Sequence, residues 1–277
     1  MLVGIIGNGF VGQAIDNGMK IKNIETLVYD VDKDRSKNTF EEVVKQANIV
    51  FVCVPTPYNS QTQQFDASII DKVLEQASQY SCKSDIIIKS TVIPGTCNRL
   101  QSLYPNMNIV FSPEFLTERT ANDDFLNPSR IILGFNDFLA GKERISSFFK
   151  VCFPGVPVIT TDYKTSEFTK YFCNCFYAAK VSLMNEFYEL ANALSVDWST
   201  AVEGMLSSGW VNEMHTKVPG PDGDYGFGGK CFPKDIQSLI KLAKQNDVDP
   251  VLLESAWKKN LQIRKNKNWL QIDGAIT

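Results

Sequence analysis

Leu2-Val3-Gly4-Ile5-Ile6-Gly7-Asn8-Gly9-Phe10-Val11-Gly12-Gln13-Ala14-Ile15 runs from a short apolar segment through a glycine-rich turn into a helical pattern. The glycines stand as G-x-G-x-x-G between a strand and a helix, the context in which this spacing binds a dinucleotide. Gly7 allows the tight turn, Gly9 lets the backbone approach a pyrophosphate, and Gly12 permits close packing of helix on strand. Phe10 and Val11 fill the variable positions, and the helix N-terminus faces the phosphates. A second strand, Glu25 to Tyr29, ends at Asp30, 18 residues beyond Gly12. A carboxylate there meets the ribose 2′-OH and repels a 2′-phosphate, so NAD is expected over NADP. Lys33 and Arg35 lie nearby and work against that preference.

The alternation continues. Asn48 to Val54, Asp85 to Lys89, Met107 to Phe111, Arg130 to Gly134 and Val156 to Ile159 read as further buried strands separated by helical segments. Near-continuous apolar strands between helices indicate an α/β fold with a doubly wound parallel sheet of Rossmann type, spanning residues 1–163. Ligands of such sheets sit at the carboxyl ends of the strands. Thr56, Thr91, Glu114 and Glu118 lie just past those ends; each is either loop polarity or part of a ligand site.

From residue 164 to 277 the pattern is helical, a second domain. Ser166 to Leu194 runs without Gly or Pro. Glu167, Lys170 and Asn174 share one face, and Phe168, Tyr171, Phe172, Cys175, Phe176 and Ala179 cover most of the rest. That polar stripe is either a solvated edge or a cleft wall on which Lys170 and Asn174 stabilise an oxyanion. The aromatic load is too wide for one core-facing stripe, which predicts a dimer interface. Shorter helices are expected at Trp198 to Gly209, Asp235 to Asn246 and Val251 to about Ile272. Between the first two lies Gly226-Phe227-Gly228-Gly229-Lys230-Cys231-Phe232-Pro233-Lys234-Asp235. Pro233 suits a first helical turn. Cys231 then precedes the positive end of a helix between Lys230 and Lys234, a setting that favours thiolate, so Cys231 reads as a nucleophile.

The 277 residues are 44% hydrophobic and 21% charged, with net charge −3. No basic face for nucleic acid and no membrane-length apolar run is present. Seven scattered cysteines without zinc-ligand spacing argue against a secreted disulfide framework and for a reducing cytoplasm. His215 is the single histidine, so histidine-based chemistry has one candidate.

Together these motifs resemble the UDP-glucose/GDP-mannose dehydrogenase family of sugar-nucleotide 6-dehydrogenases. The resemblance rests on Gly7 to Gly12, Val54-Pro55-Thr56-Pro57, Ser90-Thr91-Val92, Ser112-Pro113-Glu114-Phe115-Leu116-Thr117-Glu118, Asn127-Pro128-Ser129-Arg130, the helix with Lys170, Asn174, Asn185 and Glu186, and Gly226 to Asp235. It implies a cytoplasmic homodimer that oxidises a nucleotide sugar, UDP-glucose foremost, at C6 to the uronic acid with two NAD. Cys231 would carry thiohemiacetal and thioester intermediates. Lys170 and Asn174 would stabilise oxyanions, Asp235 with Thr91 would position water, and Glu114 would act as base in hydrolysis. Thr56, Thr91, Glu118 and Lys234 would contact NAD. Phe115, Leu116, Glu118, Lys170, Asn174, Tyr225, Phe227 and Gly228 would hold the sugar nucleotide.

The family continues into a further Rossmann-like domain over the base, whereas this sequence ends at Thr277. The base is then poorly enclosed, or a neighbouring subunit compensates through the loop from Trp210 to Tyr225. Two other readings remain open: a single-step β-hydroxyacid-type dehydrogenase, and a nucleotide-binding remnant without turnover.

Overall fold

The computed structural model of the chain describes residues 1–61, 64–136, 141–272 and 274–276. They fall into two compact units, Met1–Thr56 with Asp66–Lys170 and Pro57–Phe65 with Tyr171–Thr277.

The first unit begins with β1 (Leu2–Ile6), α1 (Phe10–Ile21), β2 (Glu25–Tyr29), α2 (Phe40–Gln46) and β3 (Ile49–Val52). The hairpin β4 (Tyr58–Asn59) and β5 (Gln64–Phe65) follows in the chain but belongs to the second unit. The first unit resumes with α3 (Ser68–Gln79), β6 (Asp85–Ile88), α4 (Thr96–Leu103), β7 (Asn108–Phe111), α5 (Ala121–Leu126), β8 (Ile131–Phe135), α6 (Lys142–Cys152) and β9 (Val158–Asp162). Among the described residues, seven strands form one sheet in the order β2-β1-β3-β6-β7-β8-β9. β1 lies between β2 and β3, with Ile5 opposite both Val28 and Phe51. These strands are Ile- and Val-rich because both faces are covered. β-branched side chains suit that pleated, dry environment.

The sheet departs from the all-parallel expectation at one place. β8 runs antiparallel to β7 through Phe111 and Gly134, and β9 runs parallel to β8. A strand buried along its whole length, as β8 is, carries no alternation, and its apolar sequence is the same for either direction.

Two glycines set distances in this unit. A Cβ on Gly12 would lie 2.0 Å from the Gly7 carbonyl oxygen, so only glycine lets α1 start this close to β1. A Cβ on Gly18 would lie 2.3 Å from the Phe125 ring, where α1 packs on α5.

α7 (Tyr163–Ala193) begins three residues before the expected Ser166. Asp162 explains the earlier start, because its carboxylate accepts the Thr165 N–H at 2.9 Å and takes up an orphan donor of the first turn. The compact units divide inside this helix, after Lys170, whereas the sequence pattern changes at residue 164.

The second unit holds the rest of α7, α8 (Trp198–Leu206), α9 (Phe232–Gln245), α10 (Val251–Ile263) and the β4–β5 hairpin. Its core gathers Cys175, Ala178, Phe227, Ile236 and Ala256. A smaller cluster joins Tyr58, Trp269, Ala275 and Ile276. α10 stops at Ile263 instead of continuing to Ile272. Arg264 is extended and the chain re-forms only as a short 3-10 turn at Asn268–Leu270. The expected helix was too long because side-chain hydrogen bonds described below, not periodicity, end it. Among the described residues no helix is long and apolar enough to cross a membrane.

The Gly18 contact makes a direct prediction. Alanine is favoured over glycine in a helix by about 1 kcal/mol, but overpacking costs ~1–3 kcal/mol. Gly18→Ala should therefore destabilise the protein in urea unfolding. Adding Phe125→Leu should recover part of the loss; a Gly18→Ala protein more stable than the parent would rule out the close packing.

Candidate active site

In the first unit the glycine-rich turn is tied down by Asp30. Its carboxylate accepts the Asn8 N–H at 2.5 Å and the Asp32 N–H at 2.9 Å. Gly7 has φ +92° and donates its N–H to the Tyr29 carbonyl at 2.9 Å. Phe10 and Val11 pack against the sheet core and hold the start of α1. Two features fit a dinucleotide. A Cβ added at Gly9 would meet nothing within 4 Å, leaving open space at a helix N-terminus. Asn8 Oδ1 is buried without a hydrogen-bond partner among the described residues, an acceptor ready for a donor. Lys33 is exposed, and the Arg35 guanidinium pairs with Asp32 at 3.3 Å.

Three strand ends of this unit carry the other expected residues. The Thr56 hydroxyl donates to the Thr91 carbonyl at 2.8 Å, joining the loops after β3 and β6. After β7, Glu114 is buried and accepts Lys170 Nζ at 2.8 Å and the Leu116 N–H at 2.7 Å. Lys170 Nζ also donates to the Glu114 carbonyl at 2.5 Å. Burial pushes the Glu114 carboxyl up. The adjacent Lys170 ammonium, the Leu116 N–H and Lys89 outweigh it and hold the group below the usual carboxylate range. The Phe115 ring lies 4.3 Å from the Arg130 guanidinium and 5.3 Å from Lys170 Nζ. Leu116 packs against the core, and Glu118 is exposed at the start of the 3-10 turn Glu118–Thr120. One turn before Lys170, Glu167 accepts the N–H groups of Gly95 at 2.6 Å and Cys97 at 2.7 Å, capping α4 from across the unit.

The second unit holds the cysteine. Cys231 is the N-cap residue of α9, with φ −94°, and Pro233 lies in the first turn as expected. Asp235 follows, almost fully buried. It accepts Lys234 Nζ at 2.6 Å on one oxygen and Asn174 Nδ2 at 2.7 Å on the other. Lys234, expected at NAD, therefore has its ammonium on Asp235.

The loop before Cys231 is shaped by amide side chains. Asn185 accepts the Gly226 N–H at 3.1 Å. Asn260 accepts the Phe227 N–H at 2.7 Å and donates to its carbonyl at 3.0 Å, and Asn268 accepts the Gly229 N–H at 3.0 Å. Buried Arg264 pairs with Asp222 at 2.7 Å and Asp224 at 3.4 Å. A Cβ on Gly228 would lie 2.5 Å from both Arg264 and Asn268. The Phe227 ring belongs to the core against Trp257 and Phe232, so this residue shapes the loop. Tyr225 is partly exposed against Tyr188. His215 is packed against Tyr177 and Phe232, and burial lowers its imidazole pKa.

Each unit thus unites some expected residues: Gly7, Gly9, Gly12 and Asp30; Thr56 and Thr91; Glu114 and Lys170; Asn174, Lys234 and Asp235. Lys170 and Asn174 are one turn apart on α7. Lys89, Glu167, Asn260 and Asn268 were not among the expected site residues. Glu167 alone left a signal, its place on the Lys170 face.

Residues 35–152 match the NAD binding domain of the UDP-glucose/GDP-mannose dehydrogenase family, and residues 164–262 match its central domain. The chain is 33% identical over 253 residues to a UDP-glucose 6-dehydrogenase of Rickettsia conorii, covering 87% of this chain and 56% of that protein. It spans little more than half the length of that relative. A UDP-glucose dehydrogenase structure from Pyrobaculum islandicum superposes with TM-score 0.80 at 23% identity, over 94% of this chain and 68% of that one. A 3-hydroxyisobutyrate dehydrogenase from Mycobacterium tuberculosis superposes with TM-score 0.74 at 13% identity, over 99% and 94%. The fold is therefore common to both dehydrogenase classes and does not separate them. The sequence matches do: with both its N-terminal and central regions matched, the chain belongs to the UDP-glucose/GDP-mannose dehydrogenase family.

Proposed function

We propose that this chain oxidises a nucleotide sugar, UDP-glucose foremost, at C6 to the uronic acid through a thioester on Cys231. The observation that carries the reading is the placement of Cys231 at the head of α9, after a loop whose backbone is held by Asn185, Asn260 and Asn268. A nucleophile needs that fixed approach.

Gly7, Gly9, Gly12 and Asp30 would hold NAD, with Thr56 and Thr91 beside it, and NAD when bound supplies the hydride acceptor for both oxidations. Lys170 and Asn174 would hold the C6 oxygen as it becomes an oxyanion. The Cys231 thiolate would add to the aldehyde carbon, forming the C–S bond of a thiohemiacetal. Loss of a second hydride from that carbon leaves the thioester. Glu114, kept ionised by Lys170, would accept a proton from the attacking water. The C–S bond breaks and Cys231 is regenerated as the acid leaves. Asp235 would position water through the hydrogen bonds it keeps with Asn174 and Lys234. Glu118, Phe115, Leu116, Tyr225 and Gly228 are the proposed sugar-nucleotide contacts; Glu118 would be shared with NAD, which Lys234 would also contact.

A homodimer is also proposed. Phe168, Phe172, Phe176, Leu183, Phe187 and Leu190 are exposed at helical spacing along α7, and Leu194 is exposed directly after it. Met184, Phe187, Leu190, Leu194, Trp198 and Met205 line an apolar cavity of about 290 Å³ between α7 and α8.

The alternative reading is a single hydride transfer of β-hydroxyacid type. Stoichiometry separates the readings. NADH released per UDP-glucose should be two; one would favour the single-step class, and none across UDP- and GDP-sugars would favour a remnant. Cys231→Ser should abolish uronic acid formation, and undiminished acid production by that variant would end the thioester reading.

Asp30→Ala should weaken NAD binding roughly tenfold or more and narrow the gap to NADP, as expected for loss of a charged hydrogen bond. Unchanged calorimetric affinity for both nucleotides would remove Asp30 from the cofactor site. Light scattering should give twice the 31.1 kDa chain mass at micromolar concentration, and Phe176→Glu should shift it towards the monomer. A parent protein that scatters as a monomer would overturn the dimer.

A further inference from the structure

Lys89 is a buried cation without a carboxylate. It follows β6 directly, and its Nζ donates to Ser112 Oγ at 3.2 Å and to the Pro113 carbonyl at 3.1 Å. Among the described residues no acid lies within ion-pair distance of it. Lys170 meanwhile holds the carbonyl and carboxylate of Glu114, the next residue. Two ammonium groups therefore grip consecutive carbonyls, and the buried cluster holds two cations against one carboxylate.

An amide or hydroxyl could hold Ser112 and Pro113 at lower cost, since a buried unpaired charge is expensive. Desolvation pushes the Lys89 ammonium down to about 8, with the positive Lys170 adding to that and Cys53 and Glu114 opposing it. The group is still mainly charged at neutral pH. What the charge acts on is Glu114, whose carboxyl Lys89 helps to keep low. The titratable groups facing Glu114 are Lys170 from α7, Lys89 from the end of β6 and Cys53 from the end of β3. Burial pushes the Cys53 thiol up to about 12, so it adds no charge.

We propose that Lys89 is a positioning residue for Glu114: its ammonium fixes the Ser112–Pro113 segment and brings a positive charge to the stretch of chain that carries the carboxylate read as the base of thioester hydrolysis. The proposal rests on the reading of Glu114 as the base. A base works only when ionised, so hydrolysis is lost as pH falls through its pKa. Removing a neighbouring cation raises that pKa and moves the acid limb of the hydrolysis profile to higher pH.

The test compares the full chain with Lys89→Gln, which keeps a hydrogen-bond donor without charge, and Lys89→Arg, which keeps the charge. The Glu114 carboxyl band, identified in infrared difference spectra by its absence in Glu114→Gln, should titrate at higher pH in Lys89→Gln and return towards the parent value in Lys89→Arg. In single turnovers with UDP-glucose and NAD, thioester hydrolysis in Lys89→Gln should slow on the acid side of its pH profile and change little at neutral pH. Its acid limb should move up while the Michaelis constant stays the same. If Lys89→Gln does not fold, Lys89→Met, which removes the charge and keeps the stem, replaces it. A Glu114 band that titrates as in the parent in a folded charge-free variant overturns the proposal. Hydrolysis that persists in Glu114→Gln overturns instead the base role of Glu114, and leaves the infrared comparison to decide whether Lys89 sets its ionisation.

Discussion

Two charged side chains one turn apart on α7, both dry, hold the strand ends of the first unit in place. Glu167 takes the free N–H groups at the start of α4, and Lys170 takes the carboxylate and carbonyl of Glu114 after β7. A helix N-terminus buried without a partner leaves orphan donors, and a carboxylate there also meets the positive end of the dipole. Burial works against Glu167, raising its carboxyl pKa despite those N–H partners. Lys170 and Glu114 form the ion pair of this region, and removing one partner of a buried pair costs about 3–5 kcal/mol. Rigidity of the Thr91 and Glu114 loops follows from this: the first is anchored to the helix by backbone N–H groups on a carboxylate and the second by an ion pair.

The second unit solves a related problem with neutral groups. A glycine-rich loop has the highest conformational entropy of any backbone, and ordering it is costly. Asparagine carboxamides offer a donor and an acceptor on one planar head. Asn260 uses both on Phe227, as a neighbouring strand would. Charged Asp in that place could accept but not donate, and would leave the Phe227 carbonyl unpaired. The loop is therefore held like the edge of a sheet without one being present, and the glycines that allow its path also leave no room for a side chain at Gly226 or Gly228.

Local rules explain what could be read in the sequence. The β1–turn–α1 segment, the helix head at Pro233 and the apolar strands are each decided within a few residues by sterics, periodicity and capping. The partners that shape the site are remote. Asn268 reaches Gly229 across 39 positions and Glu167 reaches Cys97 across 70; helical periodicity sets Glu167 on the Lys170 face but does not tell what it binds. Lys89 was hidden for a different reason. A lysine ending an apolar strand reads as the start of a solvated loop, and only the packing of the β7 loop over it makes it buried. The direction of β8 was unreadable because a strand dry on both faces has no polar side to orient.

The β4–β5 hairpin gives the chain an order of assembly. The backbone leaves the first unit after Thr56, serves the second unit for nine residues, and returns at Asp66. Tyr58 there pairs with Ile276 and shares a small core with Trp269 and Ala275. Those partners are separated by roughly two hundred residues, a loop whose closure entropy grows only slowly with length but must be met before the contact forms. During synthesis the hairpin therefore emerges early and waits for the last helices to be made. The two units are consequently not modules that a gene could exchange by a single crossover. A recombination at the α7 boundary would carry the hairpin with the wrong parent, and its few side chains would have to match a core inherited from the other.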